Sequence, residues 1–478
     1  MTKFYFPGYK KIILVPIMAL LFCLLSILPA KFNKIINDSL VDLQFKIRGD
    51  RQLSDNIEII FIGDDDVKAL NGWPLSRDYY GYLIHILNQS GAKVIGFDIL
   101  FDQADRNYPE YDEMLANLIG AANNVCLPAA FSDLASAPHP REHFPNRLKI
   151  GMNSILPIEK FRNRVAGMGL SNFEKAAIIQ KVPIIAINDD SLMLSFGCEL
   201  ARLYLHETSI IATDSRSIML ADSIGHKISI PIDNAGRLRL NHFGDIRSLR
   251  QVGLVDVLHK FETQPISLNF KDKLVIIAVT VSSVVKLQST PLNSGIPATL
   301  IHATVAENIL MQNYLRELPA LVQCIIILCL ALLALLLLKI KNRQTIVLIS
   351  ILSLLFYWII ATIAFGFTNM IFPLFYPTIT FLAVMTYGGF LYNQQRRSQE
   401  ASITTLLHEQ VKIKESQLAE AKAKLGEVQT QLDEETTTSG QTRELAEERQ
   451  RAIIKLEKEL RDLQTYIVPA KHKLVIQF

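Results

Sequence analysis

Four stretches of the chain run without a charged residue for about the length of a bilayer span: 12–30, 319–338, 345–367 and 371–392. A helical span needs about 20 mostly apolar residues. Inside hydrocarbon every backbone polar group must be satisfied internally, so such runs are read as helices. Half of the 478 residues are hydrophobic, which agrees with a membrane protein. Lys3, Lys10 and Lys11 precede the first run like the basic start of a signal peptide. The run is longer than a usual signal core, so it is expected to be an uncleaved anchor.

Basic residues beside short loops stay on the cytoplasmic side. Lys339, Lys341 and Arg343 fill the turn between the second and third runs, and Arg396 and Arg397 follow the fourth. The turn between the third and fourth carries no charge. These charges predict an inner-membrane multi-pass protein with both termini cytoplasmic. Its parts are a cytoplasmic N-terminus over 1–11, spans over the four runs, an outer segment over 31–318, and a cytoplasmic region after 393.

The charge balance is even, 49 basic against 46 acidic residues for a net +3, which gives no case for a nucleic-acid partner. Five cysteines are too few for a disulfide framework. Cys126 and Cys198 lie in the outer segment, where pairing stays open. No CxxC, HExxH or GxSxG spacing occurs, so neither a metal centre nor a hydrolase elbow is indicated, and no cofactor is expected.

The outer segment alternates short β-branched runs with helical stripes. Strands are expected at 57–62, 93–101, 124–131, 182–187, 208–212, 228–230, 237–241 and 273–281. Tyr80, Leu83, Ile84 and Leu87 share one helical face, and Gly91 ends that helix. Leu115, Leu118, Ile119 and Ala122 mark a second helix; Met193, Phe196, Leu200, Leu203 and Tyr204 a third; 302–313 a last one. The stretch 132–155, rich in proline and charge, is read as a loop or excursion. Strand–helix alternation at this spacing predicts one α/β domain with a mixed, partly parallel sheet.

Ligands of parallel sheets gather beyond the carboxyl ends of the strands. Asp64 and Asp65 follow the first strand, Asp98 sits within the second, and Asp102 lies just beyond its end. With Trp73 and Arg77 they are the candidate ligand-binding residues. Hard cations favour such carboxylates, but each residue also has a plain structural reading: a solvated loop acid, a capped turn, or a lock around Pro74. The histidines, His302 included, are scattered without ligand spacing and read as surface or helix-face residues.

Several fragments, in order, resemble the second type of CHASE domain, the cyclase- and histidine-kinase-associated sensory extracellular modules. DLQFKIR opens the domain at 42–48. IFIGDDDVKALNGWPLSR, at 60–77, places Trp73, Pro74 and Arg77 in the family's WP-x-x-R arrangement. GAKVIGFDILF covers 91–101; the strand with a glycine turn is 233–243; Thr290–Pro291 is the family's TP step; IHATVAENIL covers 301–310. One anchor before and three spans after are also the family's architecture. There are departures. Lys286 stands where the family carries an acid, Ser282 and Ser283 where it carries glycine, and Ala176–Ala177 where it has an acidic-glycine step. The resemblance therefore implies the sensory fold, with a lost or changed extracytoplasmic ligand.

After Arg396 a heptad seam runs through Val411, Leu418, Leu425 and Leu432, with Ala421 and Val428 as companions. The register returns at Ala446, Ile453, Leu460 and Ile467, with Leu456 and Leu463. It predicts a parallel homodimeric coiled coil over 398–468, weakened at 434–442 by Gly440 and four threonines, and a short tail over 469–478. No kinase or cyclase is recognisable, so the output is expected beyond the given C-terminus or in a separate protein. The expected function is a transmembrane receptor, not an enzyme. The alternatives are a non-switching scaffold between envelope and cytoplasm and, behind it, an extracytoplasmic metal-dependent hydrolase.

Overall fold

The computed structural model describes residues 14–28, 31–138, 147–174, 176–188, 191–206, 209–214, 216–221, 227–244, 252–340, 342–436 and 443–476. The chain divides into two compact units. One is 22–327 with 349–378; the other is 1–21, 328–348 and 379–478. The expected N-terminal segment 1–11 lies outside the described residues.

In the larger unit the apolar runs form a mixed, partly parallel sheet. The strands of this unit in chain order are β1 (Ile57–Ile62), β2 (Val94–Phe97), β3 (Val125–Pro138), β4 (Arg147–Ile155) and β5 (Gly167–Leu170). There follow β6 (Lys181–Pro183), β7 (Ile185–Asn188), β8 (Ser191–Leu194), β9 (Ser209–Asp214), β10 (Ser217–Ala221), β11 (Lys227–Pro231), β12 (Arg237–Arg239), β13 (Val252–Gly253) and β14 (Leu274–Val279). The main sheet runs β13-β1-β14-β2-β3-β4-β7-β8, and β5 also pairs with β3. β14 inserts between β1 and β2, parallel to both, with Ile60 opposite Ile277 and Ile276 opposite Gly96. The β3–β4 and β7–β8 pairs are antiparallel, so the sheet is mixed.

Both faces of the sheet are covered, and the strands alternate between them as the pleat requires. Ile60, Ile62, Val275, Ile277, Ile95 and Phe97 pack under the helices Arg77–Gln89, Pro109–Ala122 and Leu254–Thr263. Ile59, Phe61, Leu274, Ile276 and Val94 point the other way, against Phe196–Tyr204 and Ala298–Leu310. Each such fully buried side chain contributes about 1.5–3 kcal/mol of transfer free energy.

The structure corrects three sequence expectations. The stretch 132–155 is a long hairpin arm, β3 against β4, with Phe131 opposite Ser154 and Ala137 opposite Leu148. Its small residues and prolines hid a ladder set by strand pairing; 139–146 lies outside the described residues. The single strand expected at 182–187 is two. Pro183 cannot donate a ladder bond, the Ile184 amide turns to the Gly236 carbonyl at 2.9 Å, and β6 pairs with β12 while β7 pairs with β4 and β8. Met193 belongs to β8, and the helix after it begins at Phe196. Cys126 and Cys198 are buried and unpaired.

Among the described residues two helices are long and apolar enough to cross a membrane, within Ala320–Leu337 and Arg343–Thr368. The pair Leu14–Ile27 and Phe32–Arg48, bent by 84°, makes a third if it counts as one span. The fourth apolar run opens the 62-residue helix Phe375–Thr436. A second long helix, Arg443–Ile476, follows. It does not simply extend the first: Arg449 donates to the Gln431 carbonyl at 3.5 Å, and Glu459 lies near enough to Lys424 to favour its charged form. The two helices therefore approach one another within the chain. Most of the weak heptad stretch, 437–442, lies outside the described residues.

Candidate functional site

A cleft of about 900 Å³ opens beyond the carboxyl ends of β2 and β14. β2 brings Asp98 and Ile99 to its edge, β14 brings Val279, and the start of Ala298–Leu310 brings Ala298, Thr299 and His302. The first turn of that helix is tied to the sheet: the Thr299 hydroxyl donates to the Asp98 carboxylate at 2.5 Å. Trp73, Phe131 and Phe173 supply aromatic surface, and Lys286 and Glu174 supply charge.

Two of the six candidates meet here, Trp73 and Asp98. The other four are placed elsewhere. Asp64 is exposed and accepts from the Ser282 amide at 3.0 Å and from the Ser282 hydroxyl. Those bonds hold its carboxyl below the usual range. Asp65 is exposed beside Lys68. Arg77 clips a turn: its guanidinium donates to Asp112 at 3.2 Å and to the Gln103 carbonyl at 3.1 Å, and lies 4.6 Å over the Phe101 ring. Asp102 is exposed. Asp66 caps the helix Asp64–Ala69 through the Gly63 amide and also accepts from Val255. The carboxylates expected to converge thus serve separate turns, and among the described residues no acid, histidine and cysteine group could hold a metal ion. The Ser282–Asp64 bond also takes Ser282 away from any pairing with His302.

His302 is the residue that sequence reasoning misplaced. It is 1 % exposed and lines the cleft. Phe173 stacks on its ring at 4.7 Å, and Phe196 meets it edge-on at 5.3 Å. Neither ring nitrogen has a hydrogen-bond partner. Burial pushes its pKa down, opposed by the Asp98 carboxylate and by a Ser171 backbone group that lies outside good hydrogen-bond geometry. Gly197 makes this placement possible: a Cβ there would lie 2.3 Å from the His302 carbonyl oxygen. The signal available in sequence was the helix itself, apolar on every side, which marks full burial. Residues 299–309 are all buried.

Lys286, Ala176 and Ala177, three positions where the chain departs from the CHASE resemblance, line this same cleft. Lys286 is exposed, and among the described residues no ion pair includes it. Glu174 is already matched by Lys149 and Arg237, each at 3.1 Å.

A second polar cluster joins residues far apart in sequence. Arg48, at the end of the amphipathic helix Lys31–Arg48, donates to the Asn241 side chain at 2.6 Å and to the His242 carbonyl. Arg51 donates to Asn369 at 3.1 Å and to the Gly366 carbonyl, while Asn241 donates to Asn369 at 3.0 Å. Val41, Phe45, Leu315 and Phe365 close an apolar cluster beneath. Burial pulls the Arg48 pKa down to about 9. The domain's first helix, its late strand and the turn after Arg343–Thr368 are thereby bonded into one node.

The larger unit is thus a two-faced α/β domain with a cleft at its strand ends, in a chain that also holds helices long and apolar enough to cross a membrane. The family described as CHASE2 domain matches residues 17–337, most of the chain, and the chain belongs to that family. CHASE2 domains are sensory extracellular modules, which gives the chain a sensor role. No curated protein and no solved structure matches it.

Proposed function

We propose that this chain is a transmembrane receptor. Its CHASE2 domain meets an extracytoplasmic stimulus, and the change passes through the membrane helices to a dimeric coiled coil in the cytoplasm. In this reading all four apolar runs span the inner membrane, 31–318 faces outward, and both termini face inward. The output is a kinase, cyclase or other partner that the coil engages. No catalytic turnover is assigned to the chain. The observation that carries the proposal is the CHASE2 match over 17–337 with apolar helices flanking the domain on both sides. The heptad seam at Val411, Leu418, Leu425 and Leu432 supports a self-pairing segment. The node at Arg48, Arg51, Asn241 and Asn369 supports a path by which the domain could bias a two-state arrangement of helices.

The test is a scan of single cysteines over 411–467 in native membranes, crosslinked with and without extracellular small-molecule mixtures or envelope stress. A receptor gives intersubunit crosslinks at seam positions and a pattern that changes with the stimulus. An invariant pattern leaves a static anchor in its place. External protease should cut 31–318 and spare the coil; the reverse result ends the topology and the receptor reading with it.

A further inference from the structure

The lining of the cleft sorts into three kinds of surface, and together they describe an occupant. Most of it is apolar, with planar faces offered by Trp73, Phe131 and Phe173. One buried polar group is unsatisfied: His302, 1 % exposed, with both ring nitrogens unpartnered. A buried imidazole without a well-placed partner is costly, and a ligand's polar group recovers that cost on binding. Glu174 is matched by two cations, whereas among the described residues neither Lys286 nor Asp98 is in an ion pair; Asp98 is bonded by the Thr299 hydroxyl, which leaves Lys286 as the charge without a bond to its head group.

We infer that the cleft binds an aromatic monocarboxylate, with its ring against Trp73 and Phe173, its carboxylate on Lys286 and a polar group at His302. The Asp98 carboxylate at the same rim disfavours a second anionic group, which selects a monoanion. A cationic amine would find Asp98 already bonded by Thr299 and would be repelled by Lys286. The size agrees: about 900 Å³ lies within the usual range for pockets that hold small organic molecules. An exposed ion pair is worth little while water reaches it. It strengthens once the ring covers the aromatic lining and excludes that water. The inference rests on the receptor reading for its biological meaning but not for the binding itself.

The test uses the full chain in lipid nanodiscs and titration calorimetry with indole-3-acetate, its neutral amide and tryptamine, with empty nanodiscs subtracted. The acid is expected to bind saturably and about tenfold tighter than the amide, a difference near 1.4 kcal/mol. Tryptamine is expected to bind weakest. Lys286→Gln, at an exposed position, should erase the preference for the acid while leaving the amide unchanged. Ala177→Trp, which fills the cleft from its exposed rim, should abolish binding of both while the melting temperature holds. Absence of saturable binding by the acid overturns the inference, as does an acid preference that survives Lys286→Gln or tighter binding of tryptamine. Coil crosslinking that still answers to another stimulus would then remove the ligand class alone and leave the receptor standing.

Discussion

The Thr299 hydroxyl and the Asp98 carboxylate meet at 2.5 Å, joining the first turn of Ala298–Leu310 to the carboxyl end of β2. Thr299 is 2 % exposed, so the bond sits at the boundary between core and cleft. A hydrogen bond to a charged group is worth about 1.5–3 kcal/mol. Thr299→Val keeps the shape and removes the donor. It should destabilise the protein by about that amount and lower the melting temperature. Thr299→Ser, which keeps the hydroxyl, should recover most of the loss. Equal melting temperatures for the Val variant and the native chain would show that the bond contributes nothing.

Gly197 sets how closely two helices approach. A Cβ at this position meets the His302 carbonyl at 2.3 Å and the Val305 Cβ at 2.8 Å, and a backbone atom cannot swing aside. Gly197→Ala must therefore push Phe196–Tyr204 away from Ala298–Leu310, at an overpacking cost of about 1–3 kcal/mol. The shift moves Phe196 away from His302. Thermal unfolding should show the loss, and indole-3-acetate should bind more weakly in the same variant. An unchanged melting temperature would mean the helices relax freely.

Asn369 accepts from both Arg51 and Asn241, so one side chain holds two segments. Asn369→Ala strands both donors and should cost about 1–3 kcal/mol. The node and the cleft share no residue named here, so ligand affinity in nanodiscs should stay within about twofold, a change under roughly 0.5 kcal/mol. A variant that loses affinity while keeping its melting temperature would place Asn369 in the ligand site instead.

The elements most legible in sequence were those whose apolar runs are buried on both faces. Ile57–Ile62 and Leu274–Val279 announce themselves as strands because nothing but a two-sided sheet accepts such runs. Asp98 was less legible: it was read inside a strand running to 101, whereas β2 ends at Phe97. β14 slipping between β1 and β2 was not, since order within a sheet is a property of long-range pairing. The β3–β4 arm was hidden because Ala135, Ser136 and Ala137 carry little strand signal, and the ladder itself holds them. His302 was missed because the rings that enclose it, Phe173 and Phe196, come from distant segments. The carboxylates misled in the opposite direction. Asp64 and Asp65 crowd together in sequence, yet one bonds Ser282 and the other faces solvent beside Lys68.

His242 gives the domain a dependence on acidity whose direction is fixed by its surroundings. It is 3 % exposed, its Nε2 lies 2.8 Å from the Ile179 carbonyl, and the Phe45 ring stands edge-on at 5.6 Å. Burial, helped by the Arg48 guanidinium, lowers its pKa from 6.5 to about 4. Above pH 6.5 neither the folded nor the unfolded chain holds this proton. Between 6.5 and 4 only the unfolded chain does, so stability falls as pH drops through that window, by on the order of 3 kcal/mol at most. The native chain in nanodiscs should therefore melt lower at pH 5 than at pH 7. His242→Gln retains an N–H to give the Ile179 carbonyl but does not titrate, and its melting temperature should change less over the same interval. Parallel pH curves for the two proteins would assign the acid sensitivity to other groups.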